Sequence, residues 1–214
     1  MKIFNGKFVP QKRAILKLVY KVKYLLFREP FPKNKNGAIY LNLGCGPASS
    51  QEFINIDAVP SAKTHLSADI QHLPMFKRNS VDLIYASHVI EHIPRGQLHE
   101  MFAEWFRILK PGGVLRFGVP HFDRLVEAYQ ESGHDVDTIV NQLLGQDGQY
   151  DDHHSIWNEL FATKLLVQTG FENVEPWDPA KVDHHTFIDK TSRVLEVQGK
   201  LFPISLNLQA KKPH

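Results

Sequence analysis

The chain has 214 residues, of which 43% are hydrophobic and 22% charged, proportions typical of one soluble globular domain with an appendage. Its single cysteine excludes a disulfide framework and a cysteine-based zinc site, and favours a reducing compartment such as the cytoplasm. The net charge of +2 is unevenly distributed, because residues 1–36 hold ten lysines and arginines and one glutamate, a charge of +9, which leaves −7 elsewhere.

A basic amphipathic helix is predicted near the start of the chain. Apolar residues between Ala14 and Phe27 recur at helical spacing, and three lysines interrupt them, which excludes a membrane span and a signal peptide. A linker follows up to Gly37. We therefore predict an N-terminal arm over residues 1–36 and a main domain over residues 37–214, with an insertion at about 122–155.

Two interpretations of the arm stay open. Residues 10–28 are suited to peripheral contact with an anionic membrane surface, which would place the protein at the inner membrane face. Alternatively, the apolar face packs as a lid on the acidic main domain. Nucleic-acid binding is not expected, because the charge lies on one short helix with few aromatic residues and no recognised module.

Short apolar runs alternate with helical patterns from Ala38 onward, which is typical of βαβ units around a parallel sheet. Helices are predicted over 95–109 and 156–169, the second with Ser155 as N-cap and Gly170 as its end, and a less regular helical region over 122–146. The predicted strands are residues 39–43, 53–57, 64–69, 81–87, 114–119, 171–176 and 204–210.

The first predicted strand leads into Gly44, Cys45 and Gly46. Two glycines separated by a small residue allow a sharp turn and a close approach of the backbone to a ligand. Asp57 lies at the end of the second predicted strand, where a carboxylate accepts hydrogen bonds from ribose hydroxyls. Asp69 closes the third strand.

The motifs Leu-Gly-Cys-Gly, Asn-Ile-Asp, Ala-Asp-Ile, Val-Asp-Leu-Ile, Glu-His-Ile and Leu-Lys-Pro-Gly-Gly follow one another in this order. As a set they resemble the class I S-adenosylmethionine-dependent methyltransferases, over roughly residues 38–211. Residues 148–153 also resemble a segment of small bacterial methyltransferase-like proteins of glycan and lipopolysaccharide biosynthesis. The resemblance implies an α/β, Rossmann-like fold whose seven-stranded, mostly parallel sheet has helices on both faces, strand order 3-2-1-4-5-7-6 and an antiparallel last strand.

The resemblance also implies S-adenosylmethionine as cofactor and assigns residues to it. The glycine loop would hold the methionine moiety and ribose. Asp57 would accept from the ribose hydroxyls and Asp69 from the adenine amino group. The backbone of Ile70 would donate a hydrogen bond to the adenine ring. Ser87 and His88, at the end of the fourth strand, would lie where the sulfonium and the acceptor meet. In chain order, these cofactor-binding residues are Gly44, Cys45, Gly46, Asp57, Asp69, Ile70 and Ser87.

Only residues 47–52 separate the glycine loop from the second strand, too few for the usual crossover helix. A dinucleotide needs a helix N-terminus for its pyrophosphate, so this short connection argues against NAD. S-adenosylmethionine has no phosphate and tolerates the connection.

The predicted activity is methyl transfer from S-adenosylmethionine to a small-molecule or glycan acceptor, at a hydroxyl. The hydroxyl proton must leave, and a histidine is the natural base. His88 is the first candidate, His121 the second and His153 the third. The alternative is a catalytically inactive, methyltransferase-like binding or scaffold protein, which the shortened loop and missing third glycine leave open.

Two patterns suggest metal binding. Residues 88–92 match the H-x-x-E-H of inverzincin peptidases, but the motif follows a buried strand and ends at Pro94, so no long helix carries it. The polar segments 150–154 and 183–185 offer oxygen and nitrogen ligands. We interpret them as two loops over the cleft, and the sequence predicts no metal site.

Overall fold

The computed structural model describes residues 31–48, 50–61, 63–146, 151–185 and 189–214. The predicted arm helix and residues 148–150 lie outside them. In the described part of the chain the strands are β1 (Tyr40–Leu43), β2 (Phe53–Asp57), β3 (Leu66–Ser67), β4 (Val81–Ser87), β5 (Leu109–Pro120), β6 (Glu172–Pro176), β7 (Val194–Val197), β8 (Lys200–Pro203) and β9 (Ser205–Lys211). The helices are α1 (Leu98–Ile108), α2 (Phe122–Glu131), α3 (Val140–Leu144) and α4 (Glu159–Thr169).

Seven strands form one sheet in the order β3-β2-β1-β4-β5-β9-β6. The pairs among β1 to β5 are parallel, and β9 runs antiparallel to both β5 and β6. Since β9 is the seventh strand of this sheet along the chain, the predicted order and the antiparallel last strand are confirmed. The glycine loop reaches β2 through turns in residues 44–48 and 50–52, as the short connection predicts.

A single large core lies between one face of the sheet and the helices α1 and α4. The predicted apolar face of α1 is confirmed, since Met101, Phe102 and Trp105 are fully buried. On the other face, Phe53, Leu83 and Tyr85 pack against Trp177. Both faces of the sheet are therefore packed against other parts of the chain.

The predicted N-cap of the last helix is wrong. Asn158, not Ser155, caps α4, because its side chain accepts a hydrogen bond from the Phe161 N–H. The Ser155 hydroxyl is occupied by the Trp157 indole N–H, 2.9 Å away. The predicted end is correct, since Gly170 has the left-handed φ of 103° that favours glycine at this position.

A second, smaller core lies beyond the carboxyl edge of the sheet. The hairpin β7–β8, which the sequence did not predict, packs against α2 through Val197 and Phe202, with Leu125 and Ala128 on the helix side. The hairpin and the segment 136–146 thus form a cap over one end of the sheet. No helix among the described residues is both long and apolar enough to span a membrane.

Candidate functional site

A cavity of about 520 Å³ lies beyond the carboxyl ends of β1, β2 and β4. β1 pairs with β2 on one side and with β4 on the other, so the strand order changes direction at this point. In open α/β sheets such a switch point is where ligands bind. Cavities of this size hold small molecules and cofactors.

All seven residues predicted to bind the cofactor lie around this cavity. They come from four separate connections, after β1, after β2, after β3 and after β4, which the parallel strands bring to one edge. The residues are Gly44, Cys45, Gly46, Asp57, Asp69, Ile70 and Ser87.

The glycine loop is held against the second strand. The backbone N–H groups of Gly44 and Cys45 both donate to the Ile56 carbonyl, at 2.8 and 3.2 Å. A Cβ on Gly44 would lie 2.3 Å from Val89 Cγ2, whereas a Cβ on Gly46 would meet nothing within 4 Å. Gly44 therefore allows close packing, and Gly46 leaves open space.

Asp57 connects two of the turns that line the cavity. Its Oδ2 accepts from the Gly46 N–H and its Oδ1 from the Val59 N–H, both at 2.8 Å. A carboxylate offers about four lone-pair sites, so each oxygen retains one after these bonds. The chemistry of this residue fits a ligand that donates two neighbouring hydroxyls, as a ribose does.

The far wall of the cavity is fixed by the main core. The Trp105 indole N–H donates to the Ile70 carbonyl at 2.8 Å, which holds the turn after β3 on α1. Next to it, Asp69 Oδ1 accepts from the Gln71 N–H at 2.9 Å. A carboxylate and a backbone segment are therefore held next to each other in the wall of this cavity.

Cys45 is a buried thiol in the cavity wall, only 4% exposed. Burial, together with the charge of Asp57, raises the pKa of Cys45 to about 12. At pH 8 about one thiol in ten thousand would be ionised, against about a quarter for an ordinary cysteine. Cys45 is therefore a small apolar wall residue and not a nucleophile.

We predict that Ellman's reagent reacts with the folded protein at least about 100-fold more slowly at pH 8 than with the chain unfolded in guanidinium, because only the thiolate attacks. The folded rate should increase as the pH is raised towards 12. The chain has one cysteine, so the absorbance at 412 nm reports this site alone. Equal rates for folded and unfolded protein would show that the Cys45 thiol is not buried in the cavity wall.

His88 follows β4 and lies in the wall that separates the first cavity from a second one. Its φ of 48° is the left-handed conformation, which is uncommon for a residue other than glycine. Its Nε2 lies 3.0 Å from the Ser205 hydroxyl and its Nδ1 3.2 Å from Glu91 Oε1. The side chain is therefore held from both sides.

Hydrogen-bond directions in this group follow from the Asn207 amide. Its Nδ2 donates to the Thr191 carbonyl, so its Oδ1 accepts from the Ser205 hydroxyl at 2.8 Å. Ser205 is then left to accept from the Nε2–H of His88. On the other side, burial favours the neutral acid of Glu91, but the hydrogen bond and charge of His88 outweigh burial and lower the pKa of Glu91. Both ring nitrogens of His88 therefore face partners within the protein, Nε2 the Ser205 hydroxyl and Nδ1 the Glu91 carboxyl group.

The second cavity has a volume of about 550 Å³ and lies under the cap. His153 faces it, whereas His121 lines neither cavity. The Nδ1–H of His153 donates to the Gln142 carbonyl at 3.0 Å, so its Nε2 lone pair is free. Burial lowers the pKa of His153 and of His121, which favours the neutral rings.

Several cavity residues were not predicted. Asp189 and Lys190 line both cavities and Arg193 the second, but they lie in an irregular segment with no motif. Glu91 and His92, which lie at the cavities, entered the sequence analysis as parts of the Glu-His-Ile motif and of a peptidase motif, with no role in a cavity. Their proximity to His153 could not be read from a sequence in which His153 comes 61 positions after His92.

Residues 41–117 match the family model described as a methyltransferase domain. A comparison with curated protein sequences finds no match. Similar solved structures include a SAM-dependent methyltransferase from Archaeoglobus fulgidus, with 16% identity, a TM-score of 0.52 and 94% of each chain covered.

A SAM-dependent methyltransferase from Thermotoga maritima is also similar, with 14% identity, a TM-score of 0.53, and 94% of this chain and 97% of that chain covered. So is the 1,6-didemethyltoxoflavin-N1-methyltransferase of Burkholderia thailandensis, solved with 1,6-didemethyltoxoflavin and S-adenosylhomocysteine, with 14% identity, a TM-score of 0.50 and coverages of 98% and 83%. These similarities show the Rossmann-like methyltransferase fold.

Proposed function

We propose that this chain, which carries a methyltransferase domain in a methyltransferase fold, transfers a methyl group from S-adenosylmethionine to a hydroxyl of a small-molecule or glycan acceptor. One observation carries the proposal: seven residues from four connections surround one cavity at the switch point of the sheet. S-adenosylmethionine, the methyl donor of the reaction, would occupy this cavity.

The residues of the first cavity would bind and orient the cofactor. S-adenosylmethionine supplies a methyl on a positively charged sulfur, and this methyl moves to the acceptor oxygen while the electrons of the C–S bond remain on sulfur. Asp57 would accept from the ribose hydroxyls, and Asp69 would accept from the adenine amino group. Gly46 leaves the space that the cofactor needs beside the backbone. The chain's main task is alignment of the two reactants.

The acceptor would bind in the second cavity. Its lining includes Asn141 and Gln142 from the cap, and Lys190 and Arg193 from the loop before β7. Amides and cations of this kind suit an acceptor with many hydroxyls, such as a sugar. The insertion 122–155 and the loop 176–203 supply most of this lining, so acceptor selectivity would reside in them.

His88 lies between the two cavities, where the methyl and the acceptor oxygen would meet. Because both of its ring nitrogens face partners within the protein, Ser205 and Glu91, His88 would orient this wall and would not remove the acceptor's proton. His153 is the histidine of the second cavity that has a free lone pair.

Two expectations about where the protein is located in the cell rest on its sequence. The low cysteine content supports a cytoplasmic protein. The charge of +9 over residues 1–36 supports peripheral contact with an anionic membrane surface, and it equally supports packing of the arm on the acidic main domain.

The proposal is tested by incubating the purified chain with S-adenosylmethionine labelled in the methyl group and a panel of oligosaccharides and small hydroxyl compounds. We expect the label in at least one acceptor, with S-adenosylhomocysteine formed in equal amount. An Arg193→Ala variant should transfer less, and the matched Arg124→Ala variant, changed on the exposed side of α2, should transfer as the wild type does. Cofactor binding without transfer to any compound, including those of a metabolite extract, would instead support the inactive binding protein.

A further inference from the structure

Three side chains with metal-binding atoms meet between the two cavities. A carboxylate oxygen of Glu91 and one ring nitrogen each of His92 and His153 lie within 4.8 Å of one another. Glu91 and His92 belong to a single 3-10 turn after β4, Ile90–His92. His154 and Ser155 hold the other segment against this turn, because both backbone N–H groups donate to the Glu91 carbonyl, at 2.8 and 3.2 Å.

The two histidine rings are oriented as metal ligands are. His92 Nδ1 lies 3.1 Å from the Asp152 carbonyl, and His153 Nδ1 lies 3.0 Å from the Gln142 carbonyl. A carbonyl oxygen only accepts, so both Nδ1 atoms carry a proton, and the Nε2 atoms are the ring nitrogens available to a metal. Metal-binding histidines are fixed in this manner, with the second ring N–H donated to a carbonyl or carboxylate.

Glu91 supplies a second, independent observation. Its side chain is 1% exposed. Oε1 lies 3.2 Å from Nδ1 of His88 and 4.0 Å from Nε2 of His153, whereas the buried Oε2 has no hydrogen-bond partner among the described residues. Leaving a buried carboxylate oxygen without a partner is costly, and buried charges are normally paired or coordinate a metal.

We propose that Glu91, His92 and His153 bind a divalent transition-metal ion of the zinc class. Two imidazoles and one carboxylate are a ligand set typical of zinc and its neighbours, whereas Mg²⁺ and Ca²⁺ prefer oxygen ligands throughout. Three protein ligands leave one position open for water or a substrate oxygen.

The position of the ion would connect it to the reaction. His92 lines the first cavity, and Glu91 and His153 line the second. The open coordination position would therefore be near the acceptor hydroxyl, and the lone pair of His153 would serve the metal instead of acting alone as a base. Only this role in catalysis depends on the proposed function; metal binding itself does not.

The ligand set also differs from the one that the H-x-x-E-H pattern suggests. In that pattern both histidines would be ligands, but here the two ring nitrogens of His88 face Ser205 and Glu91. His88 would thus orient the ligand Glu91 without binding the ion itself. The second histidine ligand would instead be His153, from the segment after residue 150.

The test is a titration of the metal-free full chain with zinc chloride alone, by calorimetry in the presence of a competing chelator. We expect one tightly bound ion per chain. Removing a residue that hydrogen-bonds to a metal ligand lowers metal affinity about 10–100-fold. Removing a ligand itself, in His92→Ala or His153→Ala, should therefore lower the zinc affinity at least about 100-fold. Cobalt(II) should show an intense visible absorption in the wild type and lose it in both variants.

Matched controls are His154→Ala, next to the site, and His99→Ala, on the exposed face of α1, which should bind zinc as the wild type does. Circular dichroism verifies that each variant is folded. Equal zinc affinity in the His92→Ala/His153→Ala double variant and the wild type would overturn the proposal, as would the absence of a tight site. A chain that binds zinc in this manner but fails to bind S-adenosylmethionine would refute the proposed function and leave the metal site standing.

Discussion

Replacing Asp57 by alanine should weaken the binding of S-adenosylhomocysteine by at least about 100-fold. The carboxylate would lose two hydrogen bonds to ribose, and hydrogen bonds to a charged group contribute about 1.5–3 kcal/mol each. The same carboxylate also holds the Gly46 and Val59 N–H groups, so the glycine loop would lose an anchor. Isothermal titration calorimetry of wild type and variant measures the change.

The matched control is Asp137→Ala, which removes an exposed carboxylate that lines neither cavity. This variant should bind S-adenosylhomocysteine as the wild type does. Thermal unfolding of the ligand-free Asp57→Ala variant separates a loss of ligand contacts from a loss of fold. If folded Asp57→Ala binds with wild-type affinity, the ribose is not held by this residue.

Replacing Trp105 by alanine should lower the free energy of unfolding by about 3–5 kcal/mol, the usual cost of removing a large side chain from a core. Trp105 is fully buried between α1 and the sheet. Its indole N–H also holds the Ile70 carbonyl, so the substitution should loosen the far wall of the first cavity. Urea unfolding followed by circular dichroism gives the free energies.

Leu160→Ala is the control for this measurement, because Leu160 lies on α4 and is 61% exposed. Its effect should stay within about 0.5 kcal/mol, as for surface substitutions in general. A loss below about 1 kcal/mol for Trp105→Ala would mean that α1 does not cover the sheet as described.

The sheet could be predicted because its strands are short apolar runs separated by turn residues and helical patterns. All seven predicted strands are present, with bounds shifted by a few residues. The hairpin β7–β8 was missed although Gln198 and Gly199, both at positive φ, form a two-residue turn that is itself a hairpin signal. Its strands are mostly exposed, so their hydrophobic alternation is weak.

The N-cap of α4 shows where local sequence is insufficient. Ser155 and Asn158 are both good capping residues, and their sequence context does not separate them. The difference is tertiary, because the Ser155 hydroxyl is used by Trp157 and by the Glu91 carbonyl. The 3-10 turn after β4 lies against Ser155, and this tertiary contact leaves Asn158 to cap the helix.

The first cavity was predictable for a simple geometric reason. Each of its predicted residues follows a predicted parallel strand, and the carboxyl ends of such strands share one edge. The meeting of Glu91 and His92 with His153 was not predictable, because it depends on where the segment after residue 150 returns to the sheet. The left-handed φ of His88 was equally invisible, and so was the position of its ring between Ser205 and Glu91.

Titration of the wild-type chain with S-adenosylmethionine and S-adenosylhomocysteine tests the central claim most directly. We predict saturable binding of one ligand per chain, with competition between the two compounds and protection of Cys45 and its loop on binding. No heat at millimolar concentrations of either ligand, from protein shown to be folded, would contradict the assignment of this cavity to the cofactor and with it the proposed methyl transfer.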